Sequence, residues 1–159
     1  MTSFEIRNTV NKGQGLYSLV HFAANQVLLT FRGKIFDKKT TYELPDTVSE
    51  LFLQIGSNMY LNLNKDISFF INHSCNPNTQ VKIISQTVFL ISTRPIAPNE
   101  ELCFDYSITS TENLEEWSMA CKCEQWNCRK SISGFPNLSD KDKEKYLKLN
   151  IVPNYIKKL

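Results

Sequence analysis

The chain has 159 residues, with 18 Lys and Arg against 16 Asp and Glu and a formal net charge of +2. That is the length of about one domain, and the near-balance of charge gives no electrostatic ground for nucleic acid or an anionic membrane as the main partner. The sequence shows neither a secretory signal pattern nor an apolar run of membrane-spanning length, so it reads as soluble and intracellular.

Residues 4–10 alternate apolar and polar, as a half-buried strand does. Residues 11–15 make a tight turn, and Leu16-Tyr17 restart an extended segment. Gly13 and Gly15 flank a single residue; a hairpin turn is the plain reading, but such a pair also lets the backbone approach a ligand closely. Residues 26–32 and 34–37 read as short strands about Gly33, and residues 50–55 and 59–63 as a second pair. An apolar, strand-like run at residues 69–71 ends in Asn72-His73-Ser74-Cys75, and Asn76-Pro77-Asn78 stops it. Asn72, His73 and Cys75 are thereby placed at the mouth of a strand. Thr79–Ile84 and Thr87–Ser92 form a hairpin across Ser85-Gln86. Residues 94–100 turn into a short strand at 101–104. A helix begins near Ser139 or Asp140, either of which can cap it, and runs over 143–149. Its lysines, with the rest of the basic cluster at 141–158, read as a solvated face. The pattern is that of a mostly β domain with a short C-terminal helix, the tail beyond Ile132 packing on it.

Five cysteines, three of them within residues 121–128, argue against a disulfide framework. Cys121, Cys123 and Cys128 offer three thiolates, one short of the tetrahedral set of structural zinc; three unrelated buried thiols are the alternative. Taken alone, His73 is a hydrogen-bonded turn histidine. Phe104-Asp105-Tyr106 alone is a strand end, with Phe in the core and Tyr at its rim.

Four segments occur in one order: Lys12-Gly-Gln-Gly-Leu-Tyr17, Asn72-His-Ser-Cys75, Glu101-Leu-Cys-Phe-Asp-Tyr106 and the cysteine cluster. Together they resemble a SET domain followed by a cysteine-rich post-SET tail. The resemblance implies a β-clip of small sheets with a pseudoknot. It divides the chain into a SET domain at 1–110, a zinc-binding post-SET segment at 111–135 and a helical tail at 136–159. It further implies a protein-lysine N-methyltransferase that uses S-adenosylmethionine, releases S-adenosylhomocysteine and carries one structural zinc on Cys75, Cys121, Cys123 and Cys128. Lys12, Gly13, Gln14, Gly15, Leu16 and Tyr17 would contact the methionine end of the cofactor. Asn72 and His73 would contact its amino group and adenine. Tyr106 would be the catalytic tyrosine and border the cofactor, with Phe104, Phe52 and Tyr60 lining the substrate channel. Trp126 would anchor the metal segment or close over the adenine, and Phe135 is a second lid aromatic. Phe at position 104, where a Tyr would hold a water in the space of a second methyl, implies di- or trimethylation.

The chain departs from the family pattern at Phe69-Phe70, where an Arg is common, at Cys103, where Thr is common, and in a very short substrate-recognising insert. The implied partner is a protein presenting a lysine, a histone tail or another, in the cytoplasm or nucleus; from a bacterial source it would be an effector acting in a host nucleus. Two other readings stand beside this one. The first is a catalytically silent, zinc-stabilised binding module on the same fold. The second is a hydrolase with Cys75 or Cys103 as nucleophile.

Overall fold

Strands β1 (Phe4–Asn8) and β2 (Gln14–Ser18) pair antiparallel in a computed structural model that describes residues 2–44, 51–64 and 66–158. Gly13 sits in the connecting turn at φ +73°, a conformation that side chains with a Cβ rarely adopt. The hairpin β8 (Thr79–Ile84) and β9 (Thr87–Ser92) turns through Ser85 and Gln86, both at positive φ, as a two-residue turn matched to strand twist requires. β3 (Val27–Thr30) joins its β9 edge to make a three-stranded sheet. A second three-stranded sheet has the order β4 (Ile35–Phe36), β6 (Met59–Asn62), β5 (Phe52–Gly56). The expected strand at 50–55 begins, in the sequence reading, at Glu50, which lies outside the described residues.

Leu16, Ile71, Leu90, Ile96, Leu102 and Phe104 are at the centre of the main core, with Leu53 and Leu61. Side chains alternate across a strand, so the register that seats Leu53 beside Leu61 on the core face turns Gln54 and Tyr60 to the opposite face. That outer face is covered by the segment after Tyr106 and by the C-terminal tail: Thr111 N–H donates to Gln54 Oε1 at 2.8 Å, and the Tyr155 hydroxyl donates to the Gln54 carbonyl at 2.9 Å.

Three features differ from the sequence reading. The apolar run before Asn72 is a 3-10 turn, Ile67–Phe70, because the Asp66 side chain accepts the Ser68 N–H and caps it; only Asn72–His73 is strand (β7). A short helix, α1 (Lys38–Tyr42), follows β4, capped by Asp37, whose carboxylate accepts Thr40 N–H at 2.7 Å. The cysteine segment is framed by a small antiparallel pair, β11 (Ser118–Ala120) and β12 (Ser131–Ser133). The expected C-terminal helix is α2 (Asp140–Lys148), with Ser139 as its cap: its hydroxyl accepts Asp142 N–H and donates to the Asp142 carboxylate. Tyr146 of α2 packs with Ile108, Phe135, Leu138, Val152 and Ile156 in a second apolar cluster, which seats the tail on the segment that follows Tyr106. Among the described residues no helix is long and apolar enough to cross a membrane.

Candidate active site

β7 runs parallel to β10 (Cys103–Phe104), with Asn72 opposite Cys103 and His73 opposite Phe104, so two motifs 31 residues apart lie side by side. Asn78 ties the junction. Its amide donates to the Glu101 carbonyl at 2.8 Å and to Glu100 Oε1 at 2.9 Å, and its oxygen accepts Cys103 N–H at 2.9 Å. Asn78 thus does more than break a strand: it supplies the buried partners that the irregular backbone on both sides lacks.

Asn72 donates to the Gln14 carbonyl at 3.0 Å and to Glu101 Oε1 at 2.8 Å, and Lys12 Nζ meets the other Glu101 oxygen at 2.7 Å. A Cβ on Gly15 would lie 2.7 Å from Glu101 Oε1 and 3.0 Å from Asn72 Nδ2. The glycine turn therefore admits the chain's own carboxylate and amide, and Glu101, absent from the sequence-level candidates, is its hub. Burial opposes the charge on Lys12, but Cys103 and the Glu101 carboxylate raise its pKa and keep it protonated.

A cavity of about 350 Å3 opens between this turn, the Ser74–Asn78 loop and the cysteine segment. Lys12 and Tyr17 line it on one side, Glu101 and Cys103 at the back, and Lys122 and Cys123 on the other side. Its volume is in the range of small-molecule sites. Gly13, Gln14, Gly15 and Leu16 stand behind this wall, and the Leu16 side chain belongs to the core.

The His73 ring is buried and committed elsewhere. Nδ1 accepts the Tyr106 N–H at 3.2 Å, which leaves the proton on Nε2, 3.3 Å from Cys75 Sγ. Burial lowers its pKa to about 4, so it is neutral at pH 7. The ring thereby links Tyr106 to the cysteine cluster. The Tyr106 hydroxyl donates to the Ile71 carbonyl at 2.7 Å, and burial raises its pKa, so the phenol keeps its proton. Phe104 packs against it with ring centroids 4.9 Å apart.

The structure does not gather the rest of the expected channel. Phe52 and Tyr60 point from the outer face of their sheet, Phe52 edge-on to Phe36, whereas Phe104 and Tyr106 pack on the core side. Alternation along the strands separates the two sets. Tyr60 lies instead near Tyr42 and Glu112, with its hydroxyl buried and unpartnered among the described residues. Trp126 is 88% exposed at the tip of the cysteine loop, outside the cavity lining, so it is neither anchor nor lid in this structure. Phe135 is buried in the tail cluster and is a core residue.

Three of the four expected cysteines converge, and His73 stands with them where Cys128 was expected. The donor atoms of Cys75, Cys121, Cys123 and His73 lie within 4.8 Å of one another. The Cys75 and Cys121 sulfurs are 3.7 Å apart, close to the edge of about 3.8 Å for a tetrahedron with Zn–S bonds near 2.3 Å. Cys128 lies outside that group but neighbours Cys121 and Cys123, and its sulfur accepts the Lys130 N–H at 3.4 Å. Burial pushes Cys75 up to about 11; it opposes ionisation of Cys123 too, but N–H groups of Cys75 and Gln125 and neighbouring thiols bring that one down to about 7. This donor set fits a structural zinc. Cys103 stays apart as a buried thiol raised to about 12 by burial, which removes it as a nucleophile at neutral pH.

Sequence reasoning gave no role to Asp105, Arg129 and Tyr146. The Asp105 carboxylate is fully buried, clasped by both Arg129 terminal nitrogens at 2.7 Å, and accepts the Tyr146 hydroxyl at 2.5 Å. The only local signal was the position of Arg129 directly after Cys128.

Comparison with known proteins follows the same outline. The family model of the SET domain matches residues 13–107. The histone-lysine N-methyltransferase SETD1 of Drosophila melanogaster is 28% identical over 131 residues, covering 75% of this chain and 8% of that protein. The H3 lysine-4 specific histone-lysine N-methyltransferase of Saccharomyces cerevisiae is also 28% identical, covering 72% of this chain and 12% of that protein. The chain thus spans about a tenth of the length of these relatives. Among solved structures, Arabidopsis thaliana SUVH6 in complex with SAM superposes with a TM-score of 0.72 at 21% identity, covering 82% of this chain and 32% of that one. KRYPTONITE in complex with mCHG DNA and SAH gives 0.67 at 23% identity over 82% of this chain and 29% of that one. With its motifs brought together on the matching fold, the chain belongs to the SET-domain family.

Proposed function

We propose that the protein is an S-adenosylmethionine-dependent protein-lysine N-methyltransferase that forms di- or trimethyl-lysine on a histone or another protein. The observation that carries this reading is Tyr106: a protonated phenol that donates to Ile71 O and rests on Phe104, three residues beyond Cys103 in the wall of a polar cavity.

S-adenosylmethionine, when bound, supplies a methyl group activated on a sulfonium. Lys12 and Glu101 set a cation beside an anion in the cavity wall, a pairing suited to the zwitterionic amino-acid end of that cofactor. The Tyr106 hydroxyl donates a hydrogen bond to Ile71 O and keeps lone pairs to accept an N–H of the incoming lysine, which orients the nitrogen for in-line attack. Neither Tyr106 nor neutral His73 is built to take the lysine proton, so it passes to solvent water as the side chain enters, desolvation favouring the neutral amine. Phe104 brings no hydroxyl to the site, and this supports the higher methylation states. Zinc on Cys75, Cys121, Cys123 and Cys128 would pin the cysteine segment over the cavity without an open coordination position. On this reading residues 1–110 carry the chemistry, 111–135 close the cofactor site and 136–159 support it, in a cytoplasmic or nuclear protein.

Calorimetry of S-adenosylmethionine binding to zinc-loaded protein, with Asn72→Ala beside it, tests the cofactor site. Binding abolished by the substitution is expected; no binding by the wild type would turn the reading to a silent module. Mass spectrometry of methylated histones then reads the product state, and monomethyl-lysine alone after long reaction would contradict the role given to Phe104.

A further inference from the structure

Two hydroxyls of the C-terminal tail grip the 3-10 turn Tyr106–Ile108 at its two ends. Tyr146 donates to Asp105 Oδ2 at 2.5 Å just before the turn. The one Tyr155 hydroxyl proton is shared between the Thr109 carbonyl, 2.7 Å away just after the turn, and the Gln54 carbonyl, 2.9 Å away on the neighbouring sheet. Both tyrosines lie well beyond residues 13–107, the extent of the family match.

Resting on the methyltransferase reading, we infer that the tail is a clamp and that Tyr146 and Tyr155 are positioning residues for Tyr106. Asp105 has no freedom of its own. Its Oδ1 accepts Ser107 N–H and Arg129 Nη2, and its Oδ2 accepts Arg129 Nη1 and Tyr146. Arg129 is the longer and more flexible holder, on a segment attached through the cysteine cluster. Tyr146 has a buried ring, fixed by Phe135, Leu138 and Ile156, so its hydroxyl is the stationary point against which the carboxylate is set. Tyr106 is mounted directly on this residue. Its N–H must meet His73 Nδ1 and its hydroxyl must meet Ile71 O, two constraints that tolerate little drift of the Asp105 peptide. At the far end Tyr155 bridges Thr109 and Gln54, so the turn is also referenced to the β4-β6-β5 sheet. Displacement of a reacting group by about 1 Å costs up to about a hundred-fold in rate, and loss of one hydroxyl allows a fraction of that.

The test uses the full-length, zinc-loaded chain with Tyr146→Phe, Tyr155→Phe and both together, which remove hydroxyls and keep the packed rings. Transfer from S-adenosylmethionine to histone H3 is measured together with amide hydrogen exchange. Each single substitution is expected to lower kcat about ten-fold with the cofactor KM unchanged, and to speed exchange at residues 106–109 while β8 and β9 keep their protection. Unchanged exchange at 106–109, or kcat within about two-fold of wild type in the double variant, overturns the clamp. So does faster exchange spread evenly over the chain, which would mark the hydroxyls as general stabilisers. If wild-type protein binds no cofactor and transfers no methyl group, the methyltransferase reading fails, and the exchange pattern alone still decides whether the tail holds the turn.

Discussion

Replacing Arg129 by Met should destabilise the protein by stranding the buried Asp105 carboxylate. Asp105 is 0% exposed and the Arg129 side chain 19%, with both Arg129 terminal nitrogens 2.7 Å from carboxylate oxygens. Two unit charges about 4 Å apart at an effective dielectric of about 20 attract by about 4 kcal/mol. Breaking a buried pair from one side costs about 3–5 kcal/mol, because the remaining charge is stranded. Ser107 N–H and the Tyr146 hydroxyl remain as donors, which places the expected loss near the lower end, about 3 kcal/mol. Against a total stability of about 5–15 kcal/mol this is a large fraction. Urea unfolding of zinc-loaded wild type, Arg129→Met, Asp105→Asn and the double variant gives the coupling directly. It should be about 2–4 kcal/mol, since the double variant has no buried charge left to strand. A coupling under about 0.5 kcal/mol, the range of exposed pairs, would refute the assignment of this pair as a buried one.

Asn78→Ala removes three hydrogen bonds and orphans the buried Cys103 N–H; it should cost about 2–4 kcal/mol by urea unfolding, and a cost under about 0.5 kcal/mol would show that water replaces the side chain. Burial works against the Glu100 carboxylate, but Arg94, the Ala97 N–H and the Asn78 amide hold its pKa below the usual range. Its contribution is therefore present above the unfolded carboxylate value of about 4.3 and is lost as pH falls through the lower folded value. Wild type should exceed Glu100→Gln in stability at pH 6 and lose that margin on acidification below about pH 4; a margin that grows on acidification would reverse the sign. Chelation of zinc should expose Cys75, Cys121, Cys123 and Cys128 to alkylation together, whereas in loaded protein all four resist. Labelling of those four at equal rates with and without chelator would exclude the thiolate site.

How far the sequence carried depended on whether the information was local. Thr79–Ile84 and Thr87–Ser92 were legible because β-branched alternation and a two-residue turn are properties of adjacent residues. Ser139 was legible as a cap for the same reason. The run before Asn72 misled because apolar content signals burial, while the deciding interaction is the single Asp66 carboxylate on Ser68 N–H. The motif residues were recognisable, but their partners were not. Nothing near His73 says that its ring reaches Tyr106 and Cys75, and nothing near Asp105 points to Arg129 and Tyr146, 24 and 41 positions away. Phe52 and Tyr60 were misplaced because assignment to a channel depends on which face of a strand a residue occupies, and that is settled by pairing with distant strands.

On the proposed function, Tyr106 presents a lysine nitrogen to a methyl donor held beside the glycine turn. The most direct measurement is transfer of labelled methyl from S-adenosylmethionine to lysines of core histones and lysate proteins by zinc-loaded protein, run beside Tyr106→Phe. Labelled lysine is expected with the wild type, and a loss of about a hundred-fold or more in rate with the variant, cofactor binding being retained. Cofactor binding with no labelled lysine from any protein, or a Tyr106→Phe variant as fast as wild type, would contradict the proposed function.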